Sequence, residues 1–545
     1  MPDPQRQMRW WGWGESRHAH ELPEHALVFL RETIGVAERP RPPVALEQVR
    51  LEPTRLTEAV RGELQSICGA EHVLDGHGER VLHAAGKGYP DLVRLRAGEP
   101  EGSPDAVVHP GGHREIMAVL GLCAARSVAV VPFGGGTSVV GGLAPLRGEH
   151  DAVIALDLGR AAGLLRLDHE SATATVGAGL RGPELERLLG AEGFTLGHFP
   201  QSFEYVSLGG CAATRSAGQA STGYGSIEKM ILGLRLAAPA GEIELPPLPA
   251  SAAGPGLRQL LVGSEGTLGV ISEVSLRVRR APEQRIYEGV FFESFAAGSQ
   301  ALRLLAGEHV LPDVARLSDE QETRMSLALA GSGGLKGRLG RSYLGARGYG
   351  GGCLAILGFE GARGEVAFRR RRALQLARRS GGLSVGASPG QAWLKGRFGA
   401  PYLRDELLEQ GVMVETLETA TQWSKLDQLH RGVTGAIEAA LGEPCLVMCH
   451  VSHVYESGAS LYFTFLAPQR EGAELEQWRE VKAAASQAIV DGGGTITHHH
   501  AVGRDHAPWM ASELGEEGLR VLRAAKAELD PAAIMNPGKL LPVSP

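Results

Sequence analysis

Three segments of this 545-residue sequence combine glycines, small residues and hydroxyls in a pattern that suits close approach of backbone to a ligand. In the first, a largely β-branched apolar run at 128–131 breaks into Pro132, Phe133, Gly134, Gly135, Gly136, Thr137 and Ser138, with Gly141 and Gly142 following. Successive glycines at a strand end free backbone N–H groups to converge on an anion, and Thr137 and Ser138 add hydroxyl donors, so the segment reads as a diphosphate cradle. It has neither the GKT ending of a P-loop nor the GxGxxG spacing of a Rossmann turn. Standing alone, it would also suit a glycine-rich surface turn. The second segment starts at Gly197 and contains Pro200, Gln201, Ser202, Ser207, Gly209, Gly210, Thr214, Arg215, Ser216 and Ala217. The third is Glu265, Gly266, Thr267, Leu268, Gly269, Val270 and Ile271. Three such segments predict backbone laid along an extended ligand, a bound cofactor being the obvious one.

Regular elements must carry those segments. From Asp105 the sequence alternates β and α signals: a strand at 106–110, a helix over 113–126 and a strand at 127–132, in a texture that lasts to about residue 280. Ahead of it lie an irregular start with Trp10, Trp11 and Trp13 and a helical stretch at 56–66. Behind it, 331–352 holds ten glycines with Lys336, Arg338, Arg341 and Arg347, which reads as a mobile basic loop. A mixed region follows, with strand-like 354–359, a basic helix over 368–379 and strand-like 459–465. A tail helix at 519–529 is stopped by Pro531, Pro537 and Gly538.

Composition narrows the class. With 43% hydrophobic residues the chain can fill large cores, and 55 basic against 62 acidic residues leave a net charge of −7, so no positive field favours nucleic acid. No apolar stretch is long enough for a membrane span and no apolar leader opens the sequence, so a cytoplasmic protein is expected. The six cysteines lack zinc-site spacing and read as small buried apolar residues.

In this order, the three segments resemble the FAD-binding domain of the vanillyl-alcohol oxidase type flavoproteins, and the ending Asn536-Pro537-Gly538-Lys539-Leu540 is similar to their C-terminus. Within that superfamily the sequence resembles the alkyldihydroxyacetonephosphate synthase family. The matches are Trp10-Trp11-Gly12-Trp13-Gly14, Pro401-Tyr402-Leu403-Arg404-Asp405, the stretch from Tyr455 to Phe463, and Thr497-His498-His499-His500-Ala501-Val502-Gly503. The resemblance implies noncovalently bound FAD, an α+β fold with a two-part FAD-binding domain of the vanillyl-alcohol oxidase type, and a mixed α/β cap (substrate) domain. The expected divisions are an N-terminal segment 1–104, the FAD-binding domain 105–282, the cap 283–497 with its loop 331–352, and a returning segment 498–545.

The implied reaction exchanges the acyl group of 1-acyl-dihydroxyacetone phosphate for a long-chain fatty alcohol, through an adduct at flavin N5 and without net redox change. Arg404 matches the phosphate-holding position, where a guanidinium offers a planar fork of donors. Tyr462 matches the proton-transferring residue; a free phenol titrates near about 10, so it needs help to act near neutrality. His498, His499 and His500 are implied to supply that help. From a regular strand three adjacent histidines could not converge on one metal, so no metal is expected, although a bent loop would bring two together. Arg316 resembles a family arginine near the flavin. The chain departs from the family pattern at His450, where an arginine is usual, and at Ala501, where a glycine is usual.

The resemblance also implies lipid substrates as partners. A membrane surface, met by the basic loop as a peripheral contact, and a second copy of the chain are further candidates. The main rival is an FAD-dependent D-2-hydroxyacid dehydrogenase or oxidase, whose metal-binding His-x-Gly-Asp-x-Asn-x-His segment is replaced here by His450-Val451-Ser452-His453-Val454-Tyr455. A second rival is a catalytically silent flavin-binding protein. The C-terminal Val543-Ser544-Pro545 is not an SKL-type address, in keeping with the cytoplasmic expectation.

Overall fold

The run at 128–131 is apolar on both faces because the strand it forms, Val128–Phe133, is buried in a parallel sheet. The computed structural model describes residues 8–15, 24–35, 40–329 and 335–542. In its first sheet the order is Val73–Leu74, Ala106–Val108, Ala152–Asp157, Val128–Phe133, the last three parallel. Helix His113–Ala125 covers it through Ile116, Val119, Leu120 and Cys123. Val73–Leu74 pairs with Ala106–Val108, so this sheet takes one short strand from before residue 105.

A second, antiparallel sheet runs Leu164–Asp168, Thr173–Gly177, Val270–Arg277, Ile231–Ala238, Gly241–Leu245. These two sheets make the two-part half of the molecule. The cap is one seven-stranded antiparallel sheet in the order Leu383–Gly386, Gln284–Phe292, Cys353–Gly361, Val314–Ser318, Leu446–Val454, Gly458–Pro468, Val412–Gln422. Helices Phe295–Gly307, Arg363–Arg379, Leu426–Leu441 and Glu474–Asp491 share one core with it. Strand alternation sorts the residues: Leu461, Phe463 and Phe465 enter that core, while Ser460, Tyr462 and Thr464 point to the opposite face. The whole is α+β.

The C-terminal segment closes the structure. Val130 N–H donates to Ile534 O at 2.8 Å and Asn536 N–H to Val130 O at 2.8 Å, so 534–536 runs as a parallel strand fragment beside Val128–Phe133.

The stretch 331–352, expected as a loop, differs. Residues 331–334 lie outside the described residues, but Leu335–Ala346 is a helix. Leu335, Leu339 and Tyr343 recur every four residues there, and that helical spacing outweighs the intervening glycines.

Candidate functional site

Register places the chemistry. On three neighbouring strands of the cap, His450, Tyr462 and Glu418 are direct cross-strand partners, forming one row on the face opposite the core shared with those four helices. The His450 ring stacks on Tyr462 at 4.9 Å and 22°. Arg316 donates to His450 Nε2 at 2.9 Å and pairs with Glu322, whose other oxygen meets His450 Nδ1 at 3.0 Å. Burial alone would raise the Glu322 carboxyl, but the adjoining Arg316 charge outweighs it and leaves it at about 2. Arg316, expected beside the flavin, therefore has donors engaged by His450 and Glu322.

The triple-histidine segment bends over this row. His499 lies nearly parallel to Tyr462, with centroids 5.9 Å apart, and His500 meets it edge-on at 5.3 Å. His498 turns the other way, bonding Tyr455 Oη and, through Nδ1, His499 Nδ1 at 2.9 Å. Ring atoms of His453, His498 and His499 come within 4.8 Å of one another, close enough to share a cation, because the bend permits what a straight strand forbids. Burial lowers His498 to about 4 and His500 to about 3, so both imidazoles are neutral near pH 7. Burial also pushes the Tyr462 phenol up to about 12. At neutral pH the phenol keeps its proton.

Beneath the bend, Glu418 is 1% exposed and its carboxylate accepts hydrogen bonds from the Thr497 hydroxyl and the backbone N–H groups of His498, His499 and His500. Sequence reasoning missed this residue. The available signal was an acidic residue inside the otherwise β-prone strand Val412–Gln422, which asks for a buried partner.

Arg404, the expected phosphate ligand, sits on helix Ala400–Glu409. Its Nη1 donates to Lys87 O at 2.6 Å, Nη2 lies 3.5 Å from Asp405, and buried Nε has no partner among the described residues. Asp405 accepts from Trp13 N–H and from Arg9, so this helix anchors the tryptophan-rich start. Among the described residues no hydrogen bond or ring contact joins Arg404 to the Tyr462 cluster. Lys482, which the sequence did not single out, is 4% exposed and has no hydrogen bond or ion pair among the described residues. It lies near enough to His500, Asp505 and His506 to act on their charge.

The three small-residue segments meet, yet several of their glycines serve contacts within the protein. A Cβ at Gly134 would lie 2.2 Å from Ser207 Oγ, one at Gly135 2.2 Å from Tyr205 O, and one at Gly266 2.8 Å from Pro132. Close packing of segment on segment requires them, whatever else they approach. Phe133 packs on His83 at 4.4 Å, and Ser207 caps helix Leu208–Ala213. Arg215 donates to the carbonyls of Gln259 and Val262, and Gln201 to that of Arg397. Val270 and Ile271 belong to strand Val270–Arg277 and pack in cores, so their side chains face protein rather than a ligand.

The Asn536 amide ties the first segment to the third, donating to Gly142 O and Glu265 O at 3.2 and 2.7 Å. Glu265 receives the N–H groups of Val502 and Gly503, each at 2.8 Å, which links the histidine segment to the same junction. His198 Nδ1, Gln219 Oε1, Ser264 Oγ and Asn536 Oδ1 are buried without partners among the described residues. All four lie on or beside these segments. Orphaned polar atoms gathered there fit a polar, extended group such as FAD. Beside the junction, a cavity of about 530 Å³ is lined by Val262, Ser264, Leu268, Ile496, His498 and Val502 among others.

Residues 104–245 match the family described as FAD binding domain, and 281–540 match FAD linked oxidases, C-terminal domain. The chain is 32% identical to the alkyldihydroxyacetonephosphate synthase of Dictyostelium discoideum, covering 99% of this chain and 94% of that one. It is 33% identical to that of Trypanosoma brucei brucei, covering 100% and 94%. A solved structure of an alkyldihydroxyacetonephosphate synthase superposes with a TM-score of 0.84 at 28% identity, over 97% of this chain and 98% of that one.

Proposed function

Since the chain belongs to the alkyldihydroxyacetonephosphate synthase family, we propose the following division of labour among its residues. It is an FAD enzyme and a transferase, an alkylglycerone-phosphate synthase that makes an ether-lipid precursor. The bond between the dihydroxyacetone carbon and the ester oxygen of 1-acyl-dihydroxyacetone phosphate breaks, the alcohol oxygen of a fatty alcohol bonds to that carbon to form the ether, and the alcohol's proton balances the carboxylate that leaves as a fatty acid. FAD, when bound, supplies the isoalloxazine ring at which this exchange takes place.

The observation that carries the reading is the cross-strand row His450–Tyr462–Glu418 roofed by three histidines. Tyr462 enters the reaction protonated, as a hydrogen-bond donor to substrate. A proton taken from the substrate carbon can enter Tyr462 only as the phenol passes its own proton to a neighbouring imidazole, since the phenol starts protonated. His498 and His500, being neutral, can accept hydrogen bonds without adding charge to a dry site. Arg404, with its free Nε, and Lys482, with no partner of its own, hold the substrate phosphate. The small-residue segments and Asn536 hold FAD, without a covalent link.

Lipid substrates are the partners. Among the described residues no helix is long and apolar enough to cross a membrane. The finer reading adds peripheral contact with an anionic membrane surface through helix Leu335–Ala346, where Tyr343 is exposed, and self-association as a dimer. The purified protein should be yellow and should release FAD on acid precipitation. It should convert 1-acyl-dihydroxyacetone phosphate and hexadecanol into an ether with release of fatty acid. A preparation that leaves these substrates untouched while its flavin is bleached by D-lactate would overturn the assignment of roles.

A further inference from the structure

We propose that Glu418 is the positioning residue of the three-histidine turn, its carboxylate acting as a built-in anion around which the backbone folds so that His499 and His500 face Tyr462. The proposal rests on the function assigned above, but its evidence is separate. Successive backbone N–H groups that face one point form a concave nest suited to an anion. Here the anion is supplied by the protein. The N–H groups of His498, His499 and His500 reach Glu418 at 2.7, 3.0 and 2.9 Å, and the Thr497 hydroxyl at 2.7 Å.

With three consecutive N–H groups fixed on the carboxylate, each ring is also held near it by its base, the Nδ1 atoms of His498, His499 and His500 lying 3.7, 3.4 and 3.9 Å from Glu418 while the rest of each ring extends away. His498 then meets Tyr455, while His499 and His500 take opposite geometries on the Tyr462 ring. The strand pairing that puts Glu418 opposite Tyr462 fixes the distance between the nest and the phenol. A buried carboxylate that lost these donors would be strongly unfavourable, so the turn and the charge hold one another in place. Glu418 touches neither substrate nor cofactor in this scheme and acts through the histidines.

The test uses the flavin-loaded enzyme. Glu418→Gln keeps the size, removes the charge and turns an NH2 group toward backbone donors. Expected is a fall of about 100-fold in kcat per bound flavin with KM for the acyl substrate changed by less than about threefold, as misplaced groups produce. Glu418→Asp, which retains the charge, should recover about tenfold of that loss. Glu288→Gln, on strand Gln284–Phe292 of the same sheet, likewise buried and paired with Arg370, serves as the control for losing a buried carboxylate and should keep the wild-type kcat. Imidazole NMR of the substrate-free holoenzyme should show the His498 to His500 resonances displaced in Glu418→Gln and not in Glu288→Gln.

Unchanged kcat and unchanged imidazole resonances in Glu418→Gln overturn the proposal. So does equal kcat loss in both variants. If Glu418→Gln fails to fold, Thr497→Val, which removes one of the four donors, should lose about fivefold in kcat; full activity there overturns the proposal. The imidazole arm needs no turnover, so an enzyme without ether synthase activity would count against the function above and leave this proposal to be decided by NMR.

Discussion

Tyr462 and His450 face each other across neighbouring strands with ring centroids 4.9 Å apart and planes 22° from parallel, and Arg316 and Glu322 clamp the histidine from behind. The phenol therefore rests on a ring that cannot tilt. Tyr462→Phe keeps that stacking and loses only the hydroxyl. It should fold, bind flavin with an unchanged visible spectrum, and lose about a thousandfold in kcat, the scale of a proton-transfer group. Full ether formation by the variant would remove Tyr462 from the reaction.

Arg316→Ala leaves Glu322 ionised in a buried place without its strongest partner. The cost should be about 3–5 kcal/mol, read from urea unfolding followed by far-UV circular dichroism. Arg316→Ala combined with Glu322→Leu should restore much of that loss, since removing both partners leaves no stranded charge.

Burial depresses six histidines below the ordinary 6.5: His450 and His453, and further His198, His500 and His506 to about 3 and His498 to about 4. Each binds fewer protons folded than unfolded between those values and 6.5. Stability from this source is therefore fully present above pH 6.5 and falls as the solution is acidified toward 4, by up to about 1.4 kcal/mol per histidine for each pH unit. Asp91, Glu265 and Asp505, which burial raises to about 6, 7 and 7, act in the opposite sense over part of that window, so the test is the difference between variants: His506→Gln should lose less melting temperature than the wild type on going from pH 6.5 to 4. An unchanged slope in His506→Gln would contradict the burial of that ring.

Ala501, where relatives were expected to have glycine, adopts φ +73°, a left-handed conformation that strains any residue with a Cβ. Ala501→Gly relieves that strain while adding freedom to the unfolded chain. The net gain should be about 0.5–1 kcal/mol, seen as a small rise in melting temperature with activity intact.

Asn536 bridges the carbonyls of Gly142 and Glu265 and so pins the first and third segments together. Asn536→Ala should weaken FAD retention about tenfold or more, measured by flavin fluorescence released on dilution, with secondary structure unchanged.

Much of this molecule was legible in local chemistry. Strand alternation around Tyr462 puts Leu461 and Phe463 in the core, and glycine and hydroxyl runs marked three segments that pack on one another, because backbone conformation and face are set by near neighbours. Spacing within 335–346 also held the helix that glycine content obscured. What the sequence could not determine was which distant groups would meet. Glu418 lies beneath the histidine turn, Arg316 pairs with Glu322 and His450, and Gly134 gives way to Ser207 only because strand register and segment packing join residues far apart in the chain. A buried charge has to find its partner in three dimensions, and no residue type or spacing names that partner in advance.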